Sequence, residues 1–363
     1  MKHILLAAIA LLLGFEPIAP QANTQVALRA DSAKLPKTTF VPSLKARMDP
    51  DNNTLWCGSL KLAWDALVLA AGDRFQARRL DAFGKAMQRD PFGSSQLSPS
   101  SYVAVAGFDH KAQVEEARTL IRERFGQGRD SLLDDLQDRA AFSYAYLEMT
   151  IAFPHEFEDL AETPFLFGDS KQDVESWGLV DYELSRKSQF DQMGQVRVLH
   201  HSGPTHFIVE ILPHEEEHIV LARVPSRGTL FKTWKGVQAR REAYAKLERR
   251  DRSALDWVGG ETFRVPKLDF ALSHRFPEVK TGIKGSPTAD ILQTLRVRLD
   301  HRGAKIKSSV ILGARSDARP RQFQFDGPFL VAFLHGDSEL PYAMLWIANG
   351  DLMIPRKTEP ESR

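Results

Sequence analysis

The five residues from His214 to His218 read His-Glu-Glu-Glu-His, which matches the spacing of a zinc-hydrolase motif. That chemistry requires a helix, because only i, i+4 geometry places both imidazoles around one metal ion. Pro213 precedes the motif, and an apolar, β-branched run begins directly after it at Ile219. The pattern therefore predicts a solvated hairpin turn in which His214 and His218 do not share a metal. A zinc-dependent hydrolase is kept only as the less favoured alternative.

Two other groups of residues have the types that nucleophilic catalysis uses. The segment Trp56-Cys57-Gly58-Ser59 is similar to the start of the cysteine-protease signature, but Leu60 stands where the nucleophile is required. The His200-His201 pair has no carboxylate or thiol at a characteristic spacing, and no Gly-x-Ser-x-Gly elbow occurs in the chain. We therefore expect Cys57 to be a small buried residue on a helix face. The sequence predicts no enzyme, no catalytic residue, no cofactor and no metal.

The composition excludes several other classes of protein. Of 363 residues, 43% are hydrophobic, and 48 Lys and Arg balance 47 Asp and Glu. This balance is typical of a globular protein and lacks the basic surface of a nucleic-acid binder. The single cysteine, Cys57, excludes an intramolecular disulfide.

One basic cluster is interleaved with acidic residues and is predicted to be a solvated helix face. Its members are Arg240, Arg241, Arg249, Arg250 and Arg252.

The N-terminus has the pattern of a cleaved export signal. Lys2 and His3 precede an apolar run from Ile4 to Phe15, which is too short to span a bilayer. We expect cleavage after Ala22, so that residues 1–22 are a signal peptide and 23–50 an N-terminal extension. An uncleaved anchor is the alternative. The mature protein is expected to be secreted or periplasmic, with no membrane contact beyond this segment.

The remaining chain, residues 51–363, is predicted to form one α+β domain. Its N-terminal half shows helical periodicity, with a helix carrying Trp56, Leu60 and Leu67, and a second helix from Lys111 to Gly126. Its C-terminal half is mostly strands, interrupted by a charged helix. The predicted strands cover 142–153, 206–212, 219–224, 262–272, 295–300, 329–334 and 342–347, and the charged helix covers 237–250. Pro266 indicates an edge or a bulge, and the strand through Leu295 is expected to be half-buried. Helices followed by mainly antiparallel strands are typical of α+β folds.

A long connection, from His301 to Pro328, separates two of these strands near the C-terminus. Such a connection is unusual unless it is functional. The order resembles a serpin: Val265–Phe270 is similar to that family's strand with a Pro-Lys pair, Gly303 to its hinge glycine, and Pro328-Phe329 to its final strand. Weaker similarities lie upstream. They are Asn53–Leu67 to the first helix, Ser98–Ser101 to the shutter motif, Ala141–Phe157 to the central strand, and His206–Val224 to the paired core strands.

The resemblance implies an exposed reactive loop over residues 303–320 that inserts as a strand after a protease cleaves it. The hinge residues would be Gly303, Ala304, Ile306 and Ser308, whose side chains alternate as an inserting strand requires. Two departures stand out. His301 replaces the glutamate usual in inhibitors, and Ile306 replaces a small residue, which costs on the order of 1–3 kcal/mol in an overpacked site.

Within this loop the bond Arg315-Ser316 suits a trypsin-like protease, whereas Arg319 is followed by Pro320. Counting from Gly303, the family's usual register would place the scissile bond at Asp317-Ala318 instead, and both registers stay open. The resemblance thus implies a protease bait or serine-protease inhibitor whose partner is a serine-type protease. A serpin-fold binding protein without inhibitory function is the alternative. The oligomeric state does not follow from the sequence.

Overall fold

The computed structural model describes residues 28–126, 133, 141–150, 152–183, 185–212, 217–302 and 320–357. The helices are α1 Ser59–Ala71, α2 Ala82–Arg89, α3 His110–Phe125, α4 Lys187–Gly194, α5 Leu230–Lys246 and α6 Arg249–Ser253. The first nine strands are β1 Leu28–Asp31, β2 Thr38–Phe40, β3 Asn53–Cys57, β4 Tyr102–Gly107, β5 Phe142–Thr150, β6 Glu158–Asp159, β7 Leu166–Phe167, β8 Gln172–Asp173 and β9 Ser176–Leu179. The others are β10 Val196–Gly203, β11 His206–Ile211, β12 Glu217–Arg223, β13 Thr262–Pro266, β14 Leu268–Ile283, β15 Ser286–Leu299, β16 Gln322–Gln324, β17 Phe329–His335 and β18 Ala343–Ile347. The α+β class is confirmed.

A five-stranded sheet in the order β1-β14-β15-β5-β4 contains the longest strands. β14 and β15 form an antiparallel hairpin, and β4 pairs antiparallel with β5. β15 and β5, by contrast, run parallel. β5 is buried along most of its length, because α3 packs beside β4 and β5 while Leu147 and Met149 belong to the main core. Burial on both faces explains why its sequence is mostly apolar and aromatic and does not alternate with solvated residues.

A seven-stranded sheet, in the order β10-β11-β12-β17-β18-β3-β2, supplies much of the rest of the main core. Its central strands β17 and β18 are almost entirely buried. A smaller sheet, β16-β13-β9-β6, carries an aromatic cluster in which Trp177 lies 4.9 Å from Phe157 and 5.8 Å from Phe263, centroid to centroid. The predicted antiparallel pairing of the 206–212 and 219–224 strands is confirmed by β11 and β12.

The predicted helix at Trp56 is wrong over its first residues. Asn53–Cys57 forms strand β3, which pairs with β18 on one side and β2 on the other. The helix begins only at Ser59, after Gly58, and its buried residues include Leu60, Trp64 and Leu67 as the periodicity required. Pairing on both sides overrides the local helical periodicity, because a fully buried strand gains ladder hydrogen bonds that a helix at this place would lose.

Two further predictions need correction in position. The 262–272 segment is two strands, because the chain passes from the four-stranded sheet to the five-stranded sheet at Lys267. The charged helix begins earlier, at Leu230 with Thr229 as its N-cap, and it breaks at Leu247 before α6. By contrast, α3 agrees with its prediction, with Asp109 as N-cap and Gly126 at its end.

The strand through Leu295 is not half-buried, as its alternation suggested. Arg296, Arg298 and Asp300 are only 4%, 6% and 7% exposed. Both faces of this part of β15 are therefore covered, and the charges are paired, as described below. Among the described residues, no helix has the length and apolar character needed to cross a membrane.

Candidate functional site

The parallel junction of β5 and β15, here called the seam, is the place where the resemblance puts strand insertion. Nine residue pairs are in register along it, from Asp290 opposite Phe142 to Arg298 opposite Thr150. The prediction that the Ala141–Phe157 region contains the central strand beside this junction is confirmed. Two parallel strands leave room, once separated, for one strand that is antiparallel to both. Such a strand would pair with each of them through regular ladders.

The seam is tied to the core beneath it by one buried side chain from each strand. The Gln293 Nε2 amide of β15 donates to the Cys57 carbonyl at 3.2 Å and lies 3.4 Å from Ser59 Oγ. The Ser143 hydroxyl of β5 donates to the Ala63 carbonyl of α1 at 2.9 Å. Gln293 and Ser143 are fully buried. Because both strands are anchored to β3 and α1, they cannot slide apart without giving up these hydrogen bonds.

The serine motif at Ser98–Ser101 does not lie at this position. Ser100 is exposed, and the Ser101 hydroxyl donates to the Ser98 carbonyl at 2.7 Å in a turn before β4. The buried serine beneath the seam is Ser59 instead, at the start of α1. A signal for it was present in the sequence, because Gly58-Ser59 follows a strongly apolar segment and opens the first amphipathic helix.

The opposite face of the seam carries a buried ionic cluster, which the sequence did not predict. Arg296 Nε of β15 lies 3.3 Å from Glu148 Oε1 of β5. The Tyr146 hydroxyl donates to Glu148 Oε2 at 2.7 Å, and Arg298 Nε to Asp300 Oδ2 at 2.9 Å. Burial raises the pKa of Tyr146 well above its ordinary value, and the negative charge of Glu148 raises it further. The tyrosine therefore stays protonated and continues to donate.

The end of β15 is held where the chain leaves it. His301 accepts a backbone hydrogen bond from Phe157 N at 3.0 Å, and its Nδ1 lies 3.4 Å from Asp159 Oδ2. Lys267 Nζ contacts the same Asp159 at 2.7 Å. Burial raises the pKa of Asp159, but the hydrogen bond and charge of Lys267, with smaller contributions from the Ala161 amide and His301, bring it below its ordinary value. His301 is thus linked to Lys267 through the Asp159 carboxylate.

The loop sites themselves lie outside the described residues. They are Gly303, Ala304, Ile306, Ser308, Arg315, Ser316, Asp317 and Ala318.

The described chain resumes at Pro320, and Arg321 fixes this second attachment point. Its guanidinium pairs with the buried Glu261 and donates to the Asp256 carbonyl at 2.7 Å. At the first attachment point the backbone N–H of Arg302 donates to Asp300 Oδ1 at 2.9 Å, so each point is tied to a buried carboxylate.

The described parts of the chain do not show the side-chain arrangement that the zinc-hydrolase or cysteine-protease alternative requires. His214 lies outside them, and His218 is on strand β12, so the helix that a zinc motif requires is absent there. The prediction of a solvated His218 is wrong, since its Nδ1 lies 3.4 Å from the buried Glu210. Cys57 is buried, in a strand rather than on a helix, and burial raises its pKa to about 11. No cluster of three or more metal-ligating side chains occurs among the residues that are described.

The structure is similar to those of known serpins. Human glycosylated kallistatin matches with a TM-score of 0.52 and 12% sequence identity, over 85% of this chain and 93% of that chain. A tumour-suppressing serpin matches with a TM-score of 0.50 and 10% identity, over 83% of this chain and 93% of that chain. No protein-family model matches the sequence, and no curated protein matches it. The chain has a divergent serpin-like fold.

Proposed function

We propose that the chain is a non-enzymatic bait for a serine-type protease and inhibits it through the 303–320 loop. The protease would attack the Arg315-Ser316 bond and form an acyl-enzyme, in which the Arg315 carbonyl carbon is joined to the protease serine and the Ser316 amine is released. The segment from Gly303 to Arg315 would then enter the seam as a new strand. Its insertion would carry the attached protease with it and distort the protease active site.

The observation that carries this proposal is the parallel seam and its continuity with the loop. β15 forms one side of the seam, and the chain continues from its last residue, Leu299, to Arg302, directly before the loop begins. A chain that turned back at this point would be antiparallel to β15 and, because β5 is parallel to β15, antiparallel to β5 also. The new strand would therefore find a hydrogen-bonding partner on each side, which favours insertion.

A covalent-complex assay tests this proposal. We expect the purified chain, mixed with trypsin, to form a species of about the summed mass that withstands boiling in detergent. Arg315→Ala should abolish it, whereas the matched control Arg319→Ala should leave it intact, because Pro320 already blocks cleavage after Arg319. N-terminal sequencing of the released fragment identifies the bond. Trypsin does not cleave after aspartate, so the alternative bond Asp317-Ala318 is tested in the same way with a serine protease of that specificity, which would release a fragment starting at Ala318.

The same assay separates inhibition from the alternative function. If trypsin cleaves after Arg315 but no covalent species appears and trypsin keeps its activity, the loop is a substrate only. The non-inhibitory binding protein would then be the better account. If folded protein resists cleavage throughout 303–320 while it is cut elsewhere, the loop is not presented to a protease and the proposal fails.

The compartment is part of the proposal, because a bait must meet its protease. We infer export through the segment 1–22, with a secreted or periplasmic product. The mass of the protein recovered from outside the cytoplasm tests this directly. We expect a chain that begins at Asn23, and replacement of Leu11 and Leu12 by arginines should keep the protein inside the cell. Recovery of full-length, membrane-associated chain would instead support an uncleaved anchor.

A further inference from the structure

A concave site, here called the α5 cleft, lies between the seven-stranded sheet and α5 and contains none of the seam residues. Its volume is about 570 Å³, which is within the range of small-molecule sites. Arg197, Glu210 and His218, from three neighbouring strands, form its floor. α5 and α6 form its walls.

The floor carries a charged group, Glu210, at a strand position beneath a helix, where an apolar residue is usual. Glu210 lies directly opposite Arg197 in the β10–β11 register, and only 5% of its side chain is exposed. Its carboxylate contacts Arg197 Nη1 at 3.2 Å and Arg241 Nη2 of α5 at 2.6 Å. Burying a carboxylate is costly unless its partners are held in good geometry. Here the carboxylate fixes two guanidinium groups side by side at the bottom of the cleft.

The carboxylate and the arginines of this cleft stay charged around neutral pH. Burial raises the pKa of Glu210, but His218 and Arg241 together lower it to about 2. Glu210 is thus ionised, and the arginines are always charged. The cleft is lined by Arg197, Arg241 and Arg252 against Glu210 and Glu242, so positive charge exceeds negative charge by one even with neutral His218.

The arginines have hydrogen-bond donors beyond those that the described residues of the protein use. Each guanidinium carries five N–H groups. Glu210 takes one from Arg197 and one from Arg241, and the Ala245 carbonyl accepts one from Arg252 at 2.6 Å. The forks therefore offer further N–H groups to an anionic group of a ligand, which is the geometry in which arginine binds carboxylates and related oxyanions.

Apolar side chains from β10 and from α5 also line the cleft. Leu199, Tyr244 and Ala245 line it, and the Arg252 guanidinium lies 5.6 Å from the centroid of the Tyr244 ring. An apolar body could pack against these side chains while an attached anionic group reached the arginines. An inorganic anion would contact the arginines but not the apolar side chains. A cation would be repelled by the excess of positive charge.

We propose that the α5 cleft binds a small organic anion with an apolar body, of the class of aromatic or aliphatic carboxylates and sulfonates. The anionic group is bound by Arg252 and by the Arg197–Arg241 pair that Glu210 orients. The apolar body packs on Tyr244 and Leu199. This site needs no protease and no loop insertion, so it is independent of the bait function.

A titration of the folded full chain with 1-anilinonaphthalene-8-sulfonate tests the proposal. We expect saturable binding of one probe per chain, by fluorescence and by calorimetry. 1-Naphthoate should displace the probe, whereas the uncharged 1-naphthalenemethanol and inorganic sulfate should not, because each lacks one of the two required parts. Absence of saturable binding, or equal displacement by the uncharged compound, would contradict the proposal.

Variants at the rim of the cleft locate the binding site without disturbing the buried Glu210. Arg252→Gln and Tyr244→Ala should each weaken probe binding by about tenfold, the loss expected for one charge-assisted hydrogen bond or one aromatic contact. The matched control is Arg249→Gln, which changes an exposed arginine of the same short helix that does not line the cleft. Unchanged thermal unfolding verifies that each variant is folded. Equal affinity of all three variants and the parent would place the probe elsewhere and refute the assignment.

Discussion

Glu148 of β5 and Arg296 of β15 occupy directly opposite positions in the parallel register and form an ion pair across the seam, at 3.3 Å. Their side chains are 10% and 5% exposed. A strand that entered the seam would separate them, because it would lie between the two strands to which they belong. The pair therefore stabilises the closed sheet in the place where the proposed mechanism must open it.

Removal of one member of this pair should destabilise the closed chain. Glu148→Gln leaves Arg296 buried without its counter-charge, and breaking a buried pair in this way typically costs about 3–5 kcal/mol. We expect the lower end of that range, since glutamine can still accept from Tyr146. Replacing both members, with Glu148→Leu and Arg296→Met, should restore most of the loss. Urea unfolding of the parent, the single variant and the double variant measures this, and a double variant less stable than the single would contradict it.

The ion pair should also slow the opening of the seam. A synthetic peptide with the sequence of residues 304–315 would enter the same seam as the loop, and its incorporation can be followed by a shift in native electrophoresis. We expect incorporation to be at least several-fold faster in Glu148→Gln than in the parent. Glu242→Gln, in the α5 cleft, serves as a control for the loss of one carboxylate. Equal rates in all three proteins would show that the pair does not contribute to the opening barrier.

How much of this arrangement the sequence could predict depends on how local each signal is. The amphipathic face of α1, the long strand β5 and the hairpin β11–β12 follow from side-chain periodicity, which depends on neighbours in the chain. The helical periodicity includes Trp56 wrongly, because the two strands that pair with Asn53–Cys57, β2 and β18, lie elsewhere in the sequence. Arg296 illustrates the same limit. Its alternation with Leu295 and Val297 suggested a solvent-facing side, and only the register with Glu148 reveals a buried pair.

The α5 cleft was beyond sequence reasoning for a related reason. Glu210 belongs to an apolar strand in which it looks like one solvated residue, and Arg241 belongs to a basic cluster that predicted a solvated helix face. That prediction is wrong for Arg241, which bonds the buried Glu210, while Arg240, Arg249, Arg250 and Arg252 are exposed. Which of these arginines bonds to a buried group depends on the face of α5 that lies against β10. No local sequence pattern predicts that face.

Loss of the buried anchor beneath β5 should cost a measurable amount of stability. Ser143→Ala removes the donor to the Ala63 carbonyl and leaves that buried region with one hydrogen bond fewer, so we expect a loss of about 1–2 kcal/mol. Ser100→Ala, in the exposed turn before β4, is the matched control and should stay within about 0.5 kcal/mol of the parent. Denaturant unfolding compares the two. A larger effect at Ser100 would mean that the Ser98–Ser101 turn, and not Ser59 and Ser143, supports the sheet.

The depressed pKa of Glu210 makes stability depend on acid pH. Its pKa falls from an ordinary 4.5 to about 2 in the folded chain, so the folded state favours the ionised carboxylate. This contribution is fully present above about pH 5 and is lost as the pH falls toward 2; its size is on the order of 3 kcal/mol. Glu210→Gln should therefore be less stable at neutral pH and should lose less stability between pH 5 and 2. Thermal unfolding across this range measures both, and parallel acid limbs in the two proteins would rule out this role for Glu210.

The bulky hinge residue gives the last prediction, which concerns the efficiency of inhibition. In the proposed insertion, residues of the 303–315 segment alternate between the two faces of the sheet, and Ile306 shares a face with Ala304 and Ser308. A β-branched side chain in a tightly packed seam raises the cost of insertion by on the order of 1–3 kcal/mol. Slower insertion leaves more time for water to hydrolyse the acyl-enzyme, which releases active protease and a cleaved bait.

Ile306→Ala should shift this partition toward inhibition. We expect fewer molecules of the variant than of the parent to be consumed for each molecule of trypsin inhibited. Once cleaved, both proteins should unfold at a midpoint tens of degrees higher than the intact chain, because a whole strand joins the five-stranded sheet. Lys305→Ala, on the opposite face of the same strand, is the matched control and should leave the stoichiometry unchanged. A cleaved parent whose unfolding midpoint does not rise would show that the loop does not insert, and the effect of Ile306→Ala would then be absent as well.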